Sequence, residues 1–303
     1  MWFKNVRAYR LTGPFELTPE QMQEQMEASL YRPCGKTQPL ALGWVPPLGG
    51  ETQALVHAVN RRFLLCARRE EKLLPATVVR EQLAEKVEQI EQEQGRKVYR
   101  KERLNLKEEI VQDCLPRAFS RSVLIYAYID TRANWLFVDS ASANRAEELL
   151  NLLRECIGSL PLLLLPQVNQ SPAATMTHWL QNRTLPQDLE LAQDCELRDP
   201  TEDGGVVRCR GIELSGDEVD VHLQAGKQVV RLALLWDEKL SMVLAEDLCI
   251  RRLRFADELM AENEDLPEAD TAAHLDADFA LMSEVLTGLQ ERLLSWFGGE
   301  AAA

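Results

Sequence analysis

"KQVVRLALLWDEKLSMVLAEDLCIRRLRF", residues 227–255, decides the architecture. Its apolar residues alternate with polar ones and are rich in Val and Leu, a pattern that makes a run of strands in an antiparallel sheet. Asp237-Glu238 falls between two apolar runs, where a strand enters a turn. Upstream, "LELAQDCELRD" (189–199) and "GGVVRCRGIEL" (204–214) extend the same sheet. A short helix, "SGDEVDVHLQAG" (215–226), interrupts it and stops at Gly226, since glycine tolerates the left-handed backbone of a helix end.

Beyond the sheet, Leu275, Phe279, Met282, Leu286, Leu289, Leu293 and Trp296 recur with 4-3-4-3-4-3 spacing. That is an a/d seam on one long helix. It either packs on the chain's own core or is shared with a second subunit, which makes Leu286, Leu289 and Leu293 candidate dimer contacts. The N-terminus alternates like a strand over residues 2–9. Thr18, Pro19 and Gln21 start a helix with a capping box, and Met22, Met26 and Leu30 form its apolar stripe. "RRFLLCARR" (61–69) reads as a buried strand. "SVLIYAYID" (122–130) and "NWLFVDS" (134–140) are two more, followed by a helix capped at Ser142.

Residues 76–114 read as a helical hairpin broken at Gly95, with Leu83, Val87 and Ile90 on one arm and Tyr99, Leu106 and Ile110 on the other. Thin apolar stripes on charged helices mark a projecting element. The expected class is α+β, with mixed or antiparallel sheets, a projecting helical hairpin and a long C-terminal helix. An N-terminal α/β lobe takes 1–75 with 117–165, the hairpin takes 76–116, and a C-terminal α+β lobe takes 166–303. Pro-bounded "LPLLLLPQV" (160–168) marks the passage between lobes.

The 303 residues carry a formal charge of −14, yet unevenly: residues 1–132 hold 21 Lys+Arg against 17 Asp+Glu, and the rest hold 13 against 31. Such asymmetry points to a segregated binding surface. Its 46% hydrophobic content excludes a disordered or fibrous chain. Apolar runs are too short to cross a bilayer and no leader is evident, so a cytoplasmic protein without membrane attachment is expected. Seven scattered cysteines with no C-x-x-C pair argue against a disulfide framework and a zinc cluster.

Catalytic signatures are weak. Gly226-Lys227 lacks the rest of a phosphate loop. His274 and Asp278 share a helix face, and Glu202-Asp203 cluster, so a metal-dependent DNA-processing enzyme is the runner-up. A first-turn carboxylate that complements the helix dipole is the plainer account of the former, and a Gly-rich turn of the latter. No enzyme, metal or cofactor is expected.

Basic residues form stronger patterns. "GRKVYRKERLNLK" (95–107) holds six basic residues and one acidic one. On a helix, Arg96, Arg100, Arg103 and Lys107 make one stripe, with Lys97 and Lys101 beside it. Arg61-Arg62, Arg68-Arg69, Arg117 with Arg121, Arg208 with Arg210, Lys227, and Arg251-Arg252 with Arg254 are further sets. In strands, Arg208 and Arg210 share a face, as do Arg252 and Arg254. Several such sets in an acidic protein point to a polyanion. With no recognition helix, zinc finger or RNP motif, contacts would fall on phosphates and binding would be sequence-independent and salt-sensitive.

Short motifs then line up in order: "WFKN" (2–5), "PCG" (33–35), "GWVPP" (43–47), "ARREEKLLP" (67–75), "LPRAFSR" (115–121), "DSASA" (139–143), "GSLP" (158–161), "EDGGV" (202–206), "AGK" (225–227), "LRF" (253–255), "DADF" (276–279) and "GGEA" (298–301). End to end, the chain resembles the bacterial recombination-associated protein RdgC family. The resemblance implies a nucleoid-associated, non-catalytic homodimer whose ring encircles duplex DNA. It also implies binding of DNA, with single strands as a further candidate, without sequence preference, and antagonism of the RecA recombinase by occupying the DNA it would coat; a regulator that binds the recombinase directly, through the acidic C-terminal half, is a separate alternative. It marks Phe119 as a subunit contact.

Overall fold

Two antiparallel sheets form the frame of the computed structural model, which describes residues 1–163, 168–201, 204–261 and 271–301. The first sheet contains β1 (Arg7–Leu11), β2 (Leu40–Val45), β3 (Val56–Val59), β4 (Arg62–Leu73), β5 (Phe119–Asp130), β6 (Trp135–Val138) and β7 (Leu162–Leu163). Its order is β2-β4-β5-β6-β1-β7, with β3 also on β4. The second contains β8 (Leu189–Arg198), β9 (Val206–Arg210), β10 (Gln228–Trp236), β11 (Leu240–Ala245) and β12 (Ile250–Phe255), in the order β12-β11-β10-β8-β9. The expected run of strands at 227–255 is therefore β10 to β12. The regular N-terminal strand starts at Arg7, later than the alternation at 2–9 indicates. Residues before it cross to the second sheet, where Val6 and Ile250 exchange backbone hydrogen bonds of 2.8 and 3.0 Å.

The helices are α1 (Pro19–Met26), α2 (Ala76–Gln94), α3 (Arg100–Cys114), α4 (Ala143–Ile157), α5 (Pro172–Asn182), α6 (Asp217–Gln224), α7 (Asp257–Ala261) and α8 (Thr271–Trp296). Thr18 and Gln21 complete the expected capping box on α1, and Ser142 caps α4. One face of the first sheet, including Leu65, Ala127 and Leu136, packs with Met22 and Met26 of α1 and Leu149 and Leu153 of α4. β4 and β5 pair along their whole length, from Arg62↔Asp130 to Leu73↔Phe119, and α2 and α3 extend from their far end. Gly95 closes α2 with φ +62°, a conformation that costs glycine nothing.

The other face of the first sheet meets the inner face of the second, with α8 between them. Phe279 packs edge-on to Tyr128 of β5 at 5.6 Å. Arg62 bonds Asp130 at 2.9 Å and Glu284 of α8 at 2.6 Å. Further along, Leu286, Leu289 and Leu293 are 1%, 0% and 0% exposed in the core shared by both sheets. This corrects their assignment as dimer contacts: the seam is filled within the chain. Of the expected lobe passage at 160–168, residues 164–167 lie outside the described residues.

Asp188 fastens the end of α8 to the second sheet. Its carboxylate accepts from Arg292 Nε (2.8 Å), Trp236 Nε1 (3.1 Å) and Trp296 Nε1 (3.2 Å). The Arg292 bond leads in holding its pKa down to about 2, against the opposing pull of burial. With the folded pKa below the unfolded one, the stabilisation is complete above about pH 4 and is lost as pH falls towards 2. Asp188→Asn should cost about 1–3 kcal/mol at neutral pH and flatten the acid limb of the melting-temperature profile between those values. An unchanged profile would remove Asp188 from this role.

Candidate nucleic-acid interface

Helices α5 and α8 cover the inner face of the second sheet; the outer face is open. Along β10, Leu232, Leu234 and Trp236 point inward, while Arg231, Ala233 and the half-exposed Leu235 point out. Two shallow depressions of about 280 and 470 Å³ adjoin on this outer face and share Asp194, Val243 and Arg252. Their walls carry six arginines, Arg208, Arg210, Arg231, Arg251, Arg252 and Arg254, against two carboxylates, Asp194 and Glu196. The more acidic part of the chain thus collects cations on one side of one sheet.

Local backbone geometry sets this density. β11 and β12 slip register between Ser241 and Val243, and Arg252 takes φ +51°. Such a bulge places an extra residue on one strand and turns its side chain. Arg251, Arg252 and Arg254 therefore all reach the open face, where strict alternation would have sent one of them inward. Glu196, 6% exposed, is the counter-charge at the centre. It accepts from Arg208 Nε at 2.9 Å and Arg231 Nη1 at 3.0 Å, and lies 3.9 Å from Arg198. Asp194 pairs with Arg252 at 2.9 Å. Arg210 and Arg254 make no side-chain ion pair among the described residues. Lys227 stands apart, half-buried and 3.9 Å from Asp199.

The hairpin holds the second basic group. α3 starts at Arg100, not at Arg96, so the predicted stripe loses its first member. Arg96 sits in the turn, where both Nη atoms reach the Glu102 carboxylate at 2.7 Å. Arg100, Arg103 and Lys107 remain on one exposed face of α3, with Lys97 and Lys101 exposed nearby. Tyr99 is not part of the buried stripe: it is 75% exposed, and Val98 takes the inward place. At the hairpin root, Phe119 is 84% exposed beside Leu73 (45%), its partner across β4 and β5, and between the exposed Arg117 and Arg121.

In the other basic pairs one member is structural, while Arg61 and Arg68 are exposed. Arg62 is buried on Asp130, and Arg69 bonds Glu148 at 2.6 Å and also Glu71. Arg231 escaped the motif reading; a lone charge inside the apolar run "VVRLALLW" was its signal. The acids of "HLDAD" are engaged: Asp276 lies 2.6 Å from His57, and Asp278 2.8 Å from the N-terminal amine. Glu202-Asp203 lies outside the described residues. Among the described residues, no three His, Cys, Asp or Glu side chains group as metal ligands, and no helix is long and apolar enough to cross a membrane.

A family model described as "Putative exonuclease, RdgC" matches residues 1–300. The chain belongs to the RdgC family. It is 48% identical over 300 residues to the recombination-associated protein RdgC of Aeromonas hydrophila, covering 99% of both chains. It is 43% identical over 302 residues to the proteins of the same name from Yersinia pestis and Yersinia pseudotuberculosis, again covering 99% of each. The membership read from the ordered motifs is thereby established.

In this RdgC-family chain, Glu196 restrains the arginines around it. Glu196→Gln should raise the salt needed to elute the protein from heparin and steepen its log–log salt dependence by up to about 0.9, while lowering the melting temperature through unpaired guanidinium groups. Elution at the wild-type salt or below would contradict an anion-binding role for this face.

Proposed function

We propose that the protein is a non-catalytic, sequence-independent DNA-binding protein of the bacterial nucleoid. As a dimeric ring it encircles duplex DNA and restrains RecA-mediated recombination. The observation that carries this reading is the open arginine face of the second sheet in a chain of net charge −14. Arginines on strands meet a phosphate backbone without presenting a reading helix to the base edges, so they supply affinity and not sequence preference. The acidic remainder repels DNA elsewhere and confines it to that face.

Phe119 supports the assembly. A large ring 84% exposed beside the 45% exposed Leu73 is an apolar surface that a second subunit would cover. A closed dimeric ring needs two contacts between its subunits, and Phe119 is the candidate for one. Occupying duplex DNA is enough to keep a recombinase from coating it, and direct contact with the recombinase is not required.

The test compares duplex affinity across salt for wild type, for a sheet variant (R208A/R210A/R252A/R254A) and for a hairpin variant (R100A/R103A/K107A). Removing each cation that pairs with a phosphate should reduce the log–log slope by about 0.9, with equal effects on unrelated sequences. A sheet variant that binds like wild type would remove that face from the interface. The same wild-type protein should leave DNA uncut with magnesium or manganese. Cleavage that disappears in D276N/D278N would establish the nuclease instead.

A further inference from the structure

Strands β8 and β9 bring together two cysteines that the sequence keeps apart. Cys195 and Cys209 are direct partners in the strand register, on the rung between Asp194↔Arg210 and Glu196↔Arg208. Residues opposite each other on antiparallel strands send their side chains to the same side, with Cα atoms about 4.5–5.5 Å apart. A disulfide needs about 4.4–6.8 Å between Cα atoms, so the pair can be bridged without breaking the ladder. Both thiols turn to the inner side of the sheet: Cys195 lies in the shared core and Cys209 packs against it. Both are free. Among the described residues, no other two cysteines face each other across a strand pair.

We propose that Cys195 and Cys209 are an oxidation site, a thiol pair that a peroxide closes into a disulfide and a dithiol reopens. The two thiols differ in the way such a site needs. Cys209 is half-buried on β9, the edge strand, which has β8 on one side and no strand on the other among the described residues. Cys195 is 5% exposed. Burial first, and the neighbouring Cys209 next, push its thiol up to about 12, so it stays protonated and does not meet the oxidant itself. Cys209 is the sulfur that reacts first. Its thiolate attacks the peroxide O–O bond and becomes a sulfenic acid; the other oxygen leaves as hydroxide and takes up the proton that Cys209 lost. The Cys195 sulfur then displaces the sulfenic hydroxyl, the S–S bond forms, and the Cys195 proton leaves with that hydroxyl as water. Two thiols are oxidised, and one peroxide is reduced to two waters. The bridge staples the edge strand between the rungs that carry Arg208 and Arg210, and so holds both arginines to the outer face. In a reducing compartment a pair of this kind is transient and redox-sensing, not a permanent brace.

The experiment treats the reduced full-length protein with a small excess of hydrogen peroxide and maps its disulfides by peptide mass spectrometry, using wild type, Cys195→Ser and Cys209→Ser. Wild type should yield a linked peptide pair joining Cys195 to Cys209, which dithiothreitol separates. Cys195→Ser should leave Cys209 as a sulfenic acid that dimedone traps at least about tenfold more than in wild type, and Cys209→Ser should give neither product. In the bridged wild type the amides of residues 206–210 should exchange hydrogen about tenfold more slowly than in the reduced protein. Wild type in which Cys195 and Cys209 stay unlinked while other cysteines oxidise, or in which either is joined to a different cysteine, overturns the site. Equal dimedone labelling of Cys209 with and without Cys195 overturns it as well, and unchanged exchange over 206–210 overturns the staple. None of these readouts involves DNA, so their failure leaves the DNA-binding reading where it stands.

Discussion

Burial of one face of α8 between the two sheets is the constraint on which the rest of the structure depends. Phe279 and Met282 fill the side towards the first sheet, and Leu289, Leu293 and Trp296 lie in the same continuous core as the second. Each such side chain contributes about 1.5–3 kcal/mol by leaving water. Polar bonds give the packing a register: Asp130 receives Arg62 and the Thr287 hydroxyl, and Asp188 receives Arg292 and two indoles. Burial pushes the Asp130 carboxyl up, but the bonds from Ala133 N–H and Arg62 outweigh it, so it stays ionised among its partners.

That arrangement decides which surfaces remain. With its inner face spent on α5 and α8, the second sheet has only its outer face to offer, and the arginines stand there. The first sheet is covered by α1 and α4 on one side and by α8 on the other, and its two long strands carry α2 and α3 away from the core. The hairpin and the arginine face are thus both fixed by a core that neither of them enters. Net charge is a poor guide to such a protein. Most of the acidic residues fall in the same part of the chain as the arginine face, yet among the described residues the two depressions on that face are lined by only two carboxylates, Asp194 and Glu196, against six arginines.

Much of this was legible in the sequence where local chemistry decides the outcome. Gly95 broke the hairpin where predicted, Thr18 and Gln21 formed their box, and the alternation in 227–255 became three strands. The reading failed where the outcome depends on distant partners. Arg62 and Arg69 look like surface cations until Asp130, Glu284 and Glu148 are brought to them by the fold. An a/d seam is the same pattern whether it meets another subunit or two sheets of its own chain. The bulge at Arg252 changes which side chains share a face, and no residue type announces it. Arg96 has helical spacing from Arg100, but the turn that Gly95 begins runs on to Tyr99, and Glu102 takes the guanidinium there.

The central claim is that the protein encloses duplex DNA, and topology tests it most directly. The protein would be bound to a closed circular plasmid and to the same plasmid cut once, then challenged with about 1 M salt, where charge interactions are screened beyond roughly 3 Å. Enclosure predicts that the circle keeps its protein while the linear form loses it from its ends, and that a Phe119→Ser variant is released from both. Equal release from circle and linear DNA by the wild type would contradict enclosure.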